Sequence, residues 1–202
     1  VLTKAPLFDD VFISPGTRDT EQETIVNKKI LSMESGYVWN TPSVKLRLSG
    51  YYTLFSDGMN IMTFYHDGYR NLVNYALFGI RKLHVGIELG MELKMSAQLS
   101  IETVASIGRF YDNSRQQVTV TADNDARVLE RNLIYSRNFR VGGTPQEAYG
   151  LGIRYQPSGF IYCNLTANYF RQQWLEYNPL RRTYSALENI VAGSDQWNRM
   201  IK

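Results

Sequence analysis

Hydrophobic and polar residues alternate along this chain in separate stretches, most cleanly between residues 82 and 96. There Leu83, Val85, Ile87, Leu89, Met91, Leu93 and Met95 share one parity. Lys82, His84, Gly86, Glu88, Gly90, Glu92, Lys94 and Ser96 share the other. Side chains on a strand point alternately to its two faces, so the run predicts one apolar face backed by one polar, ionisable face. At about 3.3 Å per residue it would be roughly 50 Å long, whereas most strands have about 5–6 residues. Long two-faced strands suit a transmembrane β-barrel, where lipid covers the apolar face and a polar lumen the other.

The same alternation recurs at 29–40, 44–54, 99–111, 148–156 and 160–170, and the opening run could start as far back as Leu72. Short breaks such as Asn40-Thr-Pro-Ser43 and Pro157-Ser-Gly159 alternate with longer connections. Residues 112–140 are polar and read as a long loop carrying at most a short ribbon at 118–120. Beyond Trp174 the pattern becomes irregular. Met59 to Tyr65 could continue the second strand past a membrane. The expected fold is all-β: an antiparallel transmembrane β-barrel segment of about six long strands, with short periplasmic turns and long extracellular loops. Tyr37, Trp39, Tyr155, Phe160 and Tyr162 lie within a few residues of the short turns, where an aromatic girdle would sit.

Composition narrows the alternatives. No apolar run approaches the roughly 18 residues of a transmembrane helix, and a mean hydropathy of −0.31 fits strands that are half polar. The 22 basic and 19 acidic residues are spread without a basic block, which argues against a nucleic-acid partner. Cys163 is the only cysteine, so neither an intrachain disulfide nor a cysteine-rich metal site is expected. The first residues lack the charged and apolar regions of a signal peptide.

Several segments carry a resemblance. Ala5-Pro-Leu-Phe-Asp-Asp-Val-Phe12, Ser49-Gly-Tyr-Tyr52, Leu72-Val-Asn-Tyr75, Gly86-Ile-Glu-Leu-Gly90, Gly143-Thr-Pro-Gln146, Asn168-Tyr-Phe170 and Asn178-Pro-Leu-Arg-Arg-Thr183 resemble the barrel of TonB-dependent outer-membrane receptors of the Bacteroidetes type. Together they span most of the chain. The resemblance implies that residues 1–202 are part of a receptor-like barrel domain in a bacterial outer membrane, from its later portion and without the plug domain. It implies active import of a nutrient, with the lipid bilayer, the plug, TonB and a surface lipoprotein as partners and no cofactor. The other readings are a passive porin or structural barrel, and a soluble β-rich binding module.

Candidate chemistry is sparse. His84 and Glu88 share a face, but catalysis needs a third oriented partner and zinc three or four ligands, so neither a catalytic nor a metal role is expected and His84 reads as hydrated wall. Lys45, Arg47, Glu88, Glu92 and Glu102 are the candidate lumen wall, and Arg47 is expected to sit among the three carboxylates, where its fork could hold two at once. His66, Tyr69 and Arg70 in one connection, and Trp174, Tyr177, Arg181 and Arg182 in another, are the candidate ligand-facing residues. Aromatic and guanidinium groups together can stack on and hydrogen-bond to a ligand. Asn164-Leu-Thr166 fits a glycosylation sequon only formally, because it lies on a strand.

Overall fold

A computed structural model describes residues 1–14, 20–124, 126–187 and 194. The strands are β1 (Leu2–Lys4), β2 (Lys28–Asn40), β3 (Val44–His66), β4 (Asn71–Lys94), β5 (Leu99–Asp112), β6 (Gln116–Ala122), β7 (Val128–Ile134), β8 (Glu147–Ser158) and β9 (Ile161–Arg171). They form one antiparallel sheet in the order β1-β2-β3-β4-β5-β8-β9, with β6 and β7 branching from β4. Among the described residues the sheet is open and does not close into a barrel.

The six alternating stretches are β2, β3, β4, β5, β8 and β9. Two of them are longer than their alternation indicates, because the expected connection after Leu54 is a continuation of the β3–β4 hairpin up to a turn at 67–70. The short turns fall at 41–43, 95–98 and 159–160. Carried across the strand register, each lies about two residues further along than the one before.

Direct cross-strand partners share a face, so the register defines both surfaces of the lower sheet. One face carries Met33, Tyr37 and Trp39 of β2, Leu46 and Leu48 of β3, Leu83 to Leu93 in alternation on β4, Ile101 and Ile107 of β5, Leu151 and Ile153 of β8, and Leu165 of β9. Among the described residues it bears no charged side chain until Arg109, Glu147 and Arg171 end it at the side away from the short turns. Among the described residues nothing covers this face: Ile87 is 58% and Leu165 66% exposed. Tyr37, Trp39 and Tyr155 lie on it near the short turns, whereas Tyr162 shares the opposite face with Asn164, and Phe160 sits in the turn itself.

The opposite face is floored by small residues. Tyr51 lies across Gly86 and Gly108, where an added Cβ would come within 2.5 and 3.0 Å of its hydroxyl. Gly86 and Gly108 are themselves cross-strand partners, so the ring fills a gap that two larger residues would close.

The buried core is elsewhere. Val73, Tyr75, Leu77, Val118, Val120 and Ile134 form it, with Met62, Phe64, Ile80, Tyr177 and Leu180 packed around them. The stretch 112–140, expected to be a polar loop, supplies two strands and three of the six core residues. It escapes the alternation signal because β6 and β7 are only 7 residues each and lie among polar residues.

A bulge creates this second region. At Gly79 the backbone turns to φ +66°, a conformation that favours glycine, and β4 changes partner from β5 below to β6 above. Ser114 bridges the gap: its hydroxyl donates to the Gly79 carbonyl (2.8 Å) and accepts from the Arg81 amide (3.0 Å). The extra residue also reverses the parity, so that Leu77 comes to share a cavity with Ile80 and Lys82. The apolar residues of the upper region thus face the same side as the polar face of the lower sheet.

Candidate functional site

The polar face holds the expected charges, but pairs them differently. Lys45 Nζ donates to Glu92 at 2.8 Å, its direct partner across β3 and β4. Arg154 of β8 takes Glu102 at 3.1 Å. Glu92 and Glu102 are indeed opposite each other in register, and each is compensated from its own outer strand. Arg47 turns away from this group and reaches Glu34 of β2 at 3.8 Å. That corrects the expectation of a single arginine among three carboxylates: with a cation already beside Glu92 and another beside Glu102, Arg47 is left to pair along β2. Glu88 and Arg47 line a shared groove with Ser49, Ser106 and Asn168. Such exposed pairs add little to stability, because water screens them.

His84, expected as hydrated wall, sits between aromatic rings, 5.1 Å from Phe55 and 4.5 Å from Phe110. Its Nε2 is buried with no hydrogen-bond partner among the described residues. Ring packing explains its place better than acid–base chemistry with Glu88, which lies two rungs further along the same strand.

The two candidate ligand-facing groups belong to different elements. His66, Tyr69 and Arg70 form the tip of the β3–β4 hairpin. The rings of His66 and Tyr69 are 4.7 Å apart, and Tyr69 donates to Glu130 of β7 at 3.0 Å. Arg70 is exposed and takes a left-handed conformation, φ 50°. The other group lies on the segment returning from β9. Trp174 is exposed and its carbonyl accepts from the Gly143 amide at 3.0 Å. Tyr177 packs edge-on against Phe139, and the guanidinium of Arg182 stacks on the same ring at 4.0 Å. Arg181 is exposed in the 3-10 turn Pro179–Arg182. Tyr177 and Arg182 therefore serve first as packing residues that hold the return segment over β6 and β7. The Tyr135 amide completes the clasp by donating to the Arg182 carbonyl at 2.9 Å.

Where these parts meet there is a cavity of about 70 Å³ that the sequence pattern did not indicate. Lys82, Asp112, Gln116, Arg140, Glu176 and Tyr177 line it together with apolar residues of β3 and β4. Asp112, the last residue of β5, is only 3% exposed, and one carboxylate oxygen has no hydrogen-bond partner among the described residues. Burial pushes its carboxyl up to about 6, against the opposing pull of the Lys82 charge. Burial likewise pushes the Tyr177 phenol up to about 12, with the nearby Asp112 adding to the effect.

A carboxyl raised in the folded state favours folding most below its unfolded value near 4, and that contribution is lost as pH rises through about 6. Asp112→Asn should therefore stabilise the upper region at pH 8, by on the order of 2 kcal/mol, and have little effect at pH 4. Denaturant melts of the two proteins at both pH values check this; an asparagine variant that is less stable at pH 8 would contradict it.

No family model matches the chain, and neither a curated protein nor a solved structure matches it.

Proposed function

We propose that this chain is part of the wall of a bacterial outer-membrane β-barrel that imports a nutrient actively, as its resemblance to TonB-dependent receptors implies. The observation that carries the reading is the uncovered apolar face: six long antiparallel strands present a continuous uncharged surface, while the opposite surface is polar and charged. A soluble protein of this size would bury such a surface, and here the aliphatic side chains stand free.

The staggered turns support the same reading. An offset of a little over one residue per strand corresponds to a strand tilt of about 40°, the range found in closed barrels. At that tilt, twelve residues of strand rise about 30 Å, close to the thickness of a bilayer's hydrocarbon core. The free outer edge of β9 and most of that of β2 call for further strands, because lipid leaves no water for unpaired backbone groups. In this arrangement Lys45, Arg47, Glu88, Glu92 and Glu102 face the lumen. The upper region, with Tyr177 and Arg182, leans over the lumen mouth on the outer side, and the hairpin tip with His66, Tyr69 and Arg70 projects beyond it.

Uptake measurements test the transport reading. Cells carrying the protein should accumulate its labelled nutrient, and a protonophore that collapses the inner-membrane gradient should abolish the accumulation. Uptake that survives the protonophore would favour the passive porin instead. A monodisperse, cooperatively folding product in the absence of detergent would favour the soluble binding module.

A further inference from the structure

The charged residues that end the apolar face form one cluster. Glu147 accepts from Arg109 at 3.5 Å and pairs with Arg171 at 3.6 Å, while the Gln172 amide donates to the same carboxylate at 2.7 Å. The Tyr149 hydroxyl adds a longer contact at 3.4 Å. Glu147 is 8% exposed, but the side chains of Arg109 and Arg171 are 39% and 62% exposed. Arg109 also donates to the Gly108 carbonyl at 3.0 Å and to the Gln172 side-chain oxygen at 3.3 Å. Two guanidinium groups share one buried carboxylate, so one positive charge has no anionic partner among the described residues.

The height of the cluster is set by the register. Arg109, Glu147 and Arg171 each lie about twelve residues from the middle of their own short turn, which at a tilt of about 40° puts all three at one level. Just beneath them, Tyr149 and Tyr169 stack with their ring centres 6.3 Å apart, and Tyr52 lies at a similar distance from its turn. Aromatic residues with polar tips favour the boundary between hydrocarbon and headgroups. A pair of arginines immediately above such a belt, on the lipid side, meets headgroups and not acyl chains.

We propose that Arg109 and Arg171 bind the phosphate of an anionic lipid, seated at the headgroup level of the leaflet opposite the short turns. This rests on the membrane reading above. The chemistry is specific: guanidinium groups make bidentate bonds to phosphate oxygens, and Glu147 holds both arginines in place while neutralising only one of them. Arg109 pairs with Val85 of β4 on one side, and on the other the segment just before β8 bonds to its two chain neighbours (Gly108 amide to Gln146 carbonyl, 2.7 Å; Val141 amide to Phe110 carbonyl, 3.0 Å), so it does not stand at a free sheet edge and its parity places it on the apolar face.

Spin-labelled lipids provide the test, with the protein extracted from the membrane and reconstituted in phosphatidylcholine vesicles. Labelled phosphatidylglycerol should be enriched over labelled phosphatidylcholine in the motionally restricted shell, by about fivefold for each arginine engaged. The Arg109→Gln/Arg171→Gln protein should lose that preference, the double lysine variant should keep most of it, and Glu147→Gln should raise it. Raised salt should weaken it. A restricted shell with no preference for the anionic label, or a preference unchanged in the double glutamine variant, overturns the lipid site while leaving the membrane reading in place. The absence of a restricted shell with either label overturns the membrane reading and the site with it.

Discussion

Leu89→Arg is expected to block assembly of this protein into membranes, whereas Glu88→Arg is expected to be tolerated. Leu89 lies midway along the alternating run of β4, between Leu48 on β3 and Ala105 on β5, on the face that carries no charge at this level. A basic residue on the lipid side at mid-membrane costs about 2–4 kcal/mol, enough to lower the assembled fraction roughly thirty-fold or more. Glu88 is one residue away but points to the opposite, polar face, where it shares a groove with Arg47. A second arginine there is hydrated, and the repulsion it adds is on the order of 1 kcal/mol at most. The fraction of each variant that reaches a folded, protease-resistant form in membranes reads the difference. Equal losses would mean that the two faces have been assigned wrongly or that neither meets lipid.

The six long strands were legible because period-two alternation is a local property, visible in any stretch where both faces keep their character. Leu83 to Leu93 is the clearest case. What the alternation could not report is where its meaning changes. At Gly79 one residue in a left-handed conformation reverses the parity of β4, so Val73, Tyr75 and Leu77 point to the side that Lys82 and Glu88 occupy further down. The sequence marks this only by an isolated glycine. Residues 112–140 resemble a loop for a related reason: Val118 and Val120 alternate with Thr119 and Thr121, but a pair of short strands among Asp, Asn and Arg residues looks like a turn region. Their strand identity depends on β4, more than forty residues earlier.

The candidate site was legible to a similar degree. The polar parity of Lys45, Arg47, Glu88, Glu92 and Glu102 followed from alternation, but which cation meets which carboxylate depends on the exact stagger of neighbouring strands. Arg154 stands on the same face two residues from the partner of Glu102, and only the stagger of β5 and β8 brings it to that carboxylate. Arg109 and Glu147 did leave a trace, since each interrupts an otherwise apolar parity, after Ile107 and before Tyr149. Asp112 left none, because its burial comes from the return segment folding over the end of β5.

The division of the chain into an open lower sheet and a packed upper region leads to the second large effect. Ile134→Ala should unfold the upper region locally while leaving the lower strands intact. Ile134 is completely buried among Val73, Tyr75 and Val118, and it is paired with Gln116 at the far end of the β6–β7 hairpin. Truncating a buried isoleucine costs about 2–5 kcal/mol, depending on how far the surroundings collapse into the gap. The next residue, Tyr135, holds the return segment through its bond to the Arg182 carbonyl, so loss of packing at Ile134 also loosens the clasp that seats Tyr177 and Arg182. Amide exchange in β6, β7 and at Tyr135 should accelerate roughly thirty-fold or more. Amides of β5 and β8 near their short turns should not change, because none of their side chains belongs to this core. An acceleration spread evenly over both regions would mean that the chain unfolds as one unit. A local one means that the segment bearing Trp174, Tyr177 and Arg182 can open and close without disturbing the lower sheet.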